Sequence, residues 1–160
     1  MSLSMISLAL YQPDIPQNTG AAIRLCACLG MPLHIIEPCG FLWDARKIRQ
    51  SAMDYYDAAA ITRHISWQDF MAQNTPQKRS QKRIVLLTTK ANQCYTGFAF
   101  EKDDILLAGS ESKGVPETVH DAVQHRITIP MAAGLRSMNV INACAMVAGE
   151  ALRQNGVFPQ

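Results

Sequence analysis

Three short stretches of this 160-residue chain combine glycine with polar residues at spacings that suit a ligand site. The first runs from residue 13 to 20 (PDIPQNTG) and has Arg24 one helical turn further on. The second runs from 107 to 117 (LAGSESKGVPE), and the third from 127 to 139 (ITIPMAAGLRSMN). Backbone N–H groups at helix N-termini bind polar or anionic groups, and arginine binds phosphates. These three stretches are therefore the candidate sites for chemistry.

The third stretch predicts a strand, a loop and a long helix. The β-branched run Ile127–Ile129 reads as a strand that the following proline ends. Ser137 or Asn139 can cap the helix behind the loop. The segment Val140–Ala151 carries no charge before its last turn, which predicts burial on most of its faces. An ordinary strand–loop–helix core unit is the alternative to a ligand site.

The second stretch lies between a predicted strand and a predicted helix and contains Gly109 and Gly114. Open α/β sheets bind ligands at this place, outside the carboxyl ends of their strands. A phosphate-binding P-loop is excluded, because Val115 and Pro116 stand where lysine and serine or threonine are needed, and the pattern GxGxxG is also absent. A plain strand–helix turn is the alternative.

The first stretch predicts the start of a helix that runs to Leu29. Asn18 or Thr19 is the predicted N-cap of this helix. Gly20 in the first turn costs about 1 kcal/mol relative to alanine, so we expect a ligand or another backbone to come close there. Arg24 lies among apolar neighbours, and a surface arginine with a buried stem is the alternative to a functional one.

Strands and helices must alternate along the chain to position these stretches. The predicted strands are 5–11, 33–36, 58–62, 84–88, 105–108 and 127–129, and the predicted helices are 18–29, 45–51, 67–72, 116–122 and 140–151. Short apolar strands separated by helices predict an α/β fold, with a mostly parallel sheet and helices on both faces. We find no repeat or linker and expect one domain over 1–160, in which residues 1–4 are consistent with a remnant ahead of a natural start at Met5.

The composition is that of a globular protein. Apolar residues make up 48% and charged residues 18%, and the net charge of +2 permits an RNA partner without requiring one. No window of roughly 18 apolar residues occurs, so we expect no membrane span. Five cysteines without paired CxxC spacing argue against a disulfide framework and against a zinc site, and they suit a reducing cytoplasm. We therefore expect no metal.

Two further groups of residues could suggest function. A basic segment contains Lys78, Arg79, Lys82 and Arg83. It could contact phosphates, but a solvated surface loop is the favoured interpretation. The histidines share no motif and are interpreted as surface or core residues; they are His34, His64, His120 and His125.

Taken together, the three stretches resemble the SPOUT RNA 2′-O-methyltransferases. The residues that carry the resemblance are Asn18-Thr19-Gly20 with Arg24, Gly109 to Glu117, and Ile129-Pro130-Met131 with Arg136 to Asn139. Further similarity, at residues 10–13, 34–38, 54–55, 62–64 and 87–90, points to the small single-domain branch that methylates the wobble nucleotide of tRNA. The resemblance covers almost the whole chain, from Met5 to Arg153. Three motifs in this order and at these separations are specific to the family.

The resemblance implies a C-terminal trefoil knot that holds S-adenosylmethionine. The residues implied for cofactor binding are Leu87, Thr88, Gly109, Gly114, Ile129, Met131, Ser137 and Asn139. It also implies a homodimer packed through the first and last helices. Such a protein would act on cytidine or uridine 34 of tRNA in the cytoplasm.

The resemblance further implies that Arg24 is catalytic. A guanidinium with a pKa above about 12 is a poor base, so we interpret Arg24 as a phosphate clamp and a donor to the forming alkoxide. The residues expected to contact the RNA are Asn18, Glu111, Lys113 and Arg136. Gly149 replaces the tyrosine that relatives carry in the last helix, so stacking on RNA is lost there.

Three alternatives remain open at the level of sequence. The first is a catalytically silent RNA-binding dimer of the same fold, and the second is a 2′-O-methyltransferase for another RNA site. The third is a flavodoxin-like nucleotide-binding domain, which explains the alternation of elements but not the three motifs.

Overall fold

The computed structural model describes residues 5–74 and 82–160. Its centre is a six-stranded sheet in the order β3-β2-β1-β5-β4-β6, in which every neighbouring pair is parallel. The strands are β1 (Ser7–Tyr11), β2 (Leu33–Ile36), β3 (Ile61–His64), β4 (Ile84–Leu87), β5 (Ile105–Ala108) and β6 (His125–Ile127). The predicted α/β class with a parallel sheet is confirmed.

Helices cover both faces of the sheet, as expected. They are α1 (Pro16–Leu29), α2 (Ala45–Ala52), α3 (Trp67–Asn74), α4 (Glu117–Ala122) and α5 (Val140–Asn155). The apolar sides of α1, α2 and α5 pack with Leu8 and Leu10 of β1 in one core, while α3 and α4 pack with Ala9 and Tyr11 in the other. This division follows from the strand, whose successive side chains point to opposite faces.

The predicted N-cap of α1 is wrong. The helix begins at Pro16, and the cap position is Ile15, which makes no side-chain capping bond. Proline suits the first helical position because its missing N–H would be unpaired there anyway. Asn18 and Thr19 therefore lie inside the first turn, and the side chain of Asn18 is free to make contacts elsewhere.

Two strand predictions are displaced along the chain. β3 begins at Ile61 instead of residue 58, because the N–H groups of Ala58 and Ala59 both donate to the Tyr55 carbonyl in a turn. β6 ends at Ile127, whereas the predicted strand begins at this residue and runs to 129. Beyond it Thr128 leaves the β4 ladder, and its N–H donates to the Gln93 carbonyl.

Side chains cap the N-termini of three later helices. Asp44 accepts hydrogen bonds from Arg46 N and Lys47 N at the start of α2, and Ser66 Oγ accepts from Asp69 N at the start of α3. Of the two candidates at α5, Asn139 is the cap.

Gly20 allows two helices to come close. A Cβ at this position would collide with the side chain of Ser51 and lie 3.1 Å from the backbone nitrogen of Ala52, both in α2. The expected close approach is therefore made by another backbone and not by a ligand.

The basic segment is described only in part, because Lys78 and Arg79 lie outside the described residues. Arg83 donates to both carboxylate oxygens of the buried Asp104, at 2.8 and 2.7 Å, and pairs with Glu101. The charge of Arg83 is thus paired within the fold.

None of the helices in the described part of the chain is long and apolar enough to cross a membrane. The trefoil knot stays a prediction.

Candidate active site

A cavity of about 600 Å³ opens at the carboxyl ends of β4, β5 and β6. The N-terminal ends of α1 and α5 contribute further residues to its wall, Asn18 and Val140 among them. Its lining includes all eight residues predicted to hold a cofactor, which are Leu87, Thr88, Gly109, Gly114, Ile129, Met131, Ser137 and Asn139. A volume of this size is typical of small-molecule sites.

The loop between Gly109 and Gly114 forms one wall as a closed turn. Ser110 N donates to the Gly114 carbonyl at 3.0 Å, and Gly114 N donates to the Ser110 carbonyl at 2.9 Å. A Cβ on Gly109 would lie 2.5 Å from the Gly114 carbonyl carbon, and Gly114 itself has a φ of +65°. Both glycines are thus required by the turn itself, which brings backbone groups to the cavity.

A pair of carboxyl groups joins this loop to the start of α1. Glu111 accepts hydrogen bonds from the backbone N–H of Asp14 at 2.9 Å and from the Asn18 side-chain amide at 3.3 Å. The Ser112 hydroxyl donates to the carboxylate of Asp14. Burial raises the pKa of Glu111, while hydrogen bonds to Glu111 and Ser112 lower the pKa of Asp14. Of the two carboxyl groups, Glu111 is the one that holds a proton more readily.

The first and third sequence stretches also meet. The Asn139 side-chain amide donates to Asn18 Oδ1 at 3.1 Å. Asn139 Oδ1 in turn accepts from the backbone N–H groups of Ile141 and Asn142, at 2.9 and 3.2 Å. One asparagine therefore caps α5 and fixes it against α1 at the edge of the cavity.

Two cations and a histidine complete the rim. Lys90 and Lys113 are exposed and line the cavity. His120 of α4 lines it as well, and both of its ring nitrogens are buried without a hydrogen-bond partner among the described residues. His120 also lies near Glu117 and Asp121. One ring nitrogen of His120 and one carboxylate oxygen of each acidic residue lie within 4.8 Å of one another. These carboxylates belong to the exposed face of α4.

Sequence reasoning missed Asp14 and His120 as parts of this site. The signal for Asp14 was its place in the same polar loop as Asn18, before a helix start. His120 carried no such signal, because only the fold brings α4 beside the loops after β4 and β5.

Two predicted site residues lie outside the lining of the cavity. Arg24 is exposed, with its guanidinium carbon 5.3 Å from the centre of the Tyr55 ring and Nη1 3.3 Å from the sulfur of Met53. It lies six positions after Asn18 in α1, which amounts to about 9 Å along the axis and about a third of a turn around it. Arg136 is exposed in the loop before Ser137. The fold thus brings Asn18, Glu111 and Lys113 to the cavity but not these two arginines.

Two of the histidines contact each other in the core, which confirms for them the interpretation as surface or core residues. His34 Nδ1 lies 2.9 Å from His64 Nε2, on the neighbouring strands β2 and β3. Burial, aided by the adjacent His64, lowers the pKa of His34 to about 4. Burial also lowers the pKa of His64, which packs against Phe70. The pair belongs to the core beside α3 and not to the cavity.

Comparison with known proteins agrees with this geometry. Residues 5–149 match the SpoU rRNA methylase family. The chain is 55% identical over 151 residues to the tRNA (cytidine(34)-2′-O)-methyltransferase of Beijerinckia indica subsp. indica, and the match covers 94% of this chain and 92% of that relative. It is 42% identical over 154 residues to the protein of the same name from Escherichia coli K12, covering 95% of each.

A solved structure described as giving structural insights into the 2-OH methylation of C/U34 on tRNA superposes with a TM-score of 0.88. The two chains are 35% identical, and the match covers 97% of this chain and 99% of that one. Since the family match spans most of the chain and the relatives match over nearly their full length, this chain belongs to the SpoU rRNA methylase family.

Proposed function

We propose that this protein transfers a methyl group from S-adenosylmethionine to the ribose 2′-hydroxyl of wobble nucleotide 34 of tRNA. The observation that carries the proposal is the convergence of three distant motifs on one cavity, in a chain whose 55% and 42% identical relatives bear that activity in their names. The same cavity contains every residue that the motif resemblance assigned to the cofactor.

The cavity suits an adenosyl group. Leu87, Ile129, Met131 and Val140 give it an apolar lining, and the closed turn at Gly109 presents backbone groups for polar edges. Bound S-adenosylmethionine supplies an electrophilic methyl group on a sulfonium. We propose that the residues around it hold and orient this group and exclude water, so that the RNA hydroxyl meets the methyl in line.

We propose that the RNA approaches from the side of Asn18, Glu111 and Lys113. Lys113 is an exposed cation on the rim, and Glu111 is a half-buried carboxyl group whose pKa burial raises. Arg136 is exposed in the loop that leads into α5 and can reach a phosphate. These residues would position the ribose and its neighbouring phosphates.

Arg24 is the proposed catalytic side chain, acting on the RNA and not on the cofactor. It is exposed and makes no ion pair within the described residues, so its charge is available to a phosphate. The ring of Tyr55, 5.3 Å from the guanidinium carbon, limits where this charge can point. A planar guanidinium in this role binds the flanking phosphate and donates to the developing alkoxide.

We further propose a homodimer packed through α1 and α5. The last helix exposes Met146 and leaves Ala145 and Gly149 half-buried, so that another backbone could come close. We expect the protein to act in the cytoplasm, where tRNA is processed.

The proposal is tested by incubating the protein with methyl-labelled S-adenosylmethionine and, in separate reactions, total tRNA or ribosomal RNA. Ribose methylation protects the adjacent phosphodiester from alkali, so the label should appear in an alkali-resistant dinucleotide. Label on ribosomal RNA alone would favour another RNA site, which the family description suggests. RNA binding without any label would favour the catalytically silent alternative.

A further inference from the structure

The loop that connects β2 to α2 exposes an apolar side chain on an aromatic base. Leu42 is 92% exposed. Its neighbours Phe41 and Trp43 are half-buried against the main core, with ring centroids 6.5 Å apart and planes inclined by 23°. A single exposed leucine is common at protein surfaces. Here the core fixes the rings of Phe41 and Trp43, so the Leu42 side chain projects into solvent from a rigid part of the surface.

An arginine from β3 lies on the same support. The guanidinium carbon of Arg63 is 4.6 Å from the centre of the Trp43 ring, and Arg63 also pairs with Glu37 at the start of the loop. The ring and the carboxylate together fix the plane of the guanidinium, while the Arg63 side chain remains 43% exposed. Such a fixed planar cation can stack on a nucleobase.

This loop is joined to the wall of the cavity through residues 13 and 14. Gly40 N donates to the Pro13 carbonyl at 3.0 Å, and a Cβ on Gly40 would lie 2.5 Å from the Cβ of Asp14. Asp14 in turn donates its backbone N–H to Glu111 of the cavity wall. The loop that carries the exposed leucine is therefore connected, through Asp14, to Glu111 in the wall of the proposed active site.

Two free cations follow in the chain. Arg46 and Lys47 in the first turn of α2 are exposed and make no ion pair among the residues that the structure describes. Arg49 in the same helix differs, because its guanidinium donates two hydrogen bonds to Asp57. An apolar and aromatic support next to unpaired cations matches the chemistry of single-stranded RNA, in which bases stack and phosphates seek positive charge.

We propose that residues 37–43 with Arg63 form a stacking surface for unpaired bases of the RNA substrate, and that Arg46 and Lys47 bind the adjoining phosphates. This inference rests on the proposed function, because it assigns the surface to bases of the tRNA anticodon loop that flank the methylated nucleotide. It would explain how one short domain selects a loop nucleotide over a paired one.

The test measures binding of a fluorescent anticodon stem–loop RNA by anisotropy, in the presence of S-adenosylmethionine. Leu42→Ser is expected to weaken binding about tenfold, because a base packed on this loop loses the apolar contact of the leucine side chain. Replacing Arg46 and Lys47 together by glutamine should reduce the slope of log affinity against log salt by about 0.7 for each phosphate that is no longer neutralised. An anticodon stem–loop with abasic nucleotides on both sides of nucleotide 34 should bind wild type and Leu42→Ser equally.

Matched controls come from parts of the surface outside this loop. Met5 is an exposed apolar residue just before β1, and Lys102 is an exposed cation before β5. Met5→Ser and Lys102→Gln should leave RNA affinity and salt slope within twofold of wild type. If Leu42→Ser binds RNA as tightly as Met5→Ser does, the stacking surface is wrong. If Leu42→Ser changes the molar mass in light scattering, the loop is a contact between copies of the chain and the proposal is likewise overturned.

This assay is independent of methyl transfer. A wild-type protein that binds the stem–loop through Leu42 but transfers no methyl group would overturn the proposed function and leave this inference standing. Normal methylation by the wild type, together with an unchanged RNA affinity of Leu42→Ser, would overturn this inference and leave the proposed function standing.

Discussion

The side-chain amide of Asn139 donates a hydrogen bond to Oδ1 of Asn18 across 3.1 Å, although 121 residues separate the two in the chain. The bond joins the N-terminus of α5 to the first turn of α1 at the edge of the cavity. The same two helices form the proposed dimer interface. This contact therefore connects the proposed cofactor site to the surface proposed for the second subunit.

Asn139→Ala should destabilise the fold by about 1–2 kcal/mol, because α5 loses its cap and Asn18 loses a partner. Asn139→Asp is the matched control: it keeps the oxygen that accepts from Ile141 N and Asn142 N but cannot donate to Asn18. In urea unfolding, we expect Asn139→Ala to lose more of the free energy of unfolding than Asn139→Asp. Calorimetry should show weaker S-adenosylmethionine binding in both variants. Equal stability of the alanine variant and wild type would contradict this role.

Gly109→Ala should weaken cofactor binding and lower stability together. The added Cβ would lie 2.5 Å from the Gly114 carbonyl carbon, so the turn must move away from its present position beside the cavity. Gly97→Ala is the control, because Gly97 is exposed and its added Cβ would meet the flexible end of the Gln93 side chain, at 3.2 Å, which can move aside. Thermal unfolding and calorimetry of the two variants would distinguish them. A Gly109→Ala protein with normal cofactor affinity would show that the turn is not part of the site.

Much of the fold could be predicted from the alternation of apolar strands and helices, since a parallel sheet requires crossover helices. The residues proposed to bind the cofactor were predicted from the family resemblance: six lie in the second and third motifs and two, Leu87 and Thr88, in the further stretch 87–90, and the fold brings all eight to one cavity. The start of α1 was missed because Asn18 looks like a cap in sequence, whereas Pro16 begins the helix and Asn18 bonds to residues far along the chain. The His34–His64 contact could not be predicted, because it depends on the register of two strands.

Stability should fall as the pH drops from about 6.5 towards 4. The pKa of His34 is about 4 in the fold against 6.5 when unfolded, so the unfolded chain binds the proton more readily in this range. The stability that the neutral imidazole contributes is thus complete above pH 6.5 and is lost on acidification, by on the order of 3 kcal/mol. Lowering of the His64 pKa acts in the same direction.

The measurement is the free energy of unfolding in urea at about pH 7.5 and about pH 5, on either side of the unfolded histidine pKa. His34→Gln removes the titrating group and should flatten the difference between the two pH values. His125→Gln, on the far edge strand β6, is the control and should keep it. An unchanged pH dependence in His34→Gln would assign the acid sensitivity to other groups.

Arg24→Ala should lose methyl transfer by roughly a hundred- to a thousand-fold, which is typical for removal of one donor to a developing oxyanion. Its affinity for S-adenosylmethionine should stay within twofold of wild type, because Arg24 lies outside the lining of the cavity. Arg24→Lys should also be poor, since an ammonium cannot make the planar two-pronged contact. Lys102→Ala provides an exposed cation as the control. Retained activity in Arg24→Ala at saturating tRNA would end the catalytic assignment.

We propose that the protein methylates the 2′-oxygen of tRNA nucleotide 34. The most direct measurement compares two otherwise identical tRNAs, one with ribose and one with 2′-deoxyribose at position 34, incubated with protein and methyl-labelled S-adenosylmethionine. We expect about one methyl group per molecule on the first tRNA and none on the second. Equal labelling of both tRNAs, or label mapped to any other nucleotide, would show that the 2′-oxygen of nucleotide 34 is not the methyl acceptor.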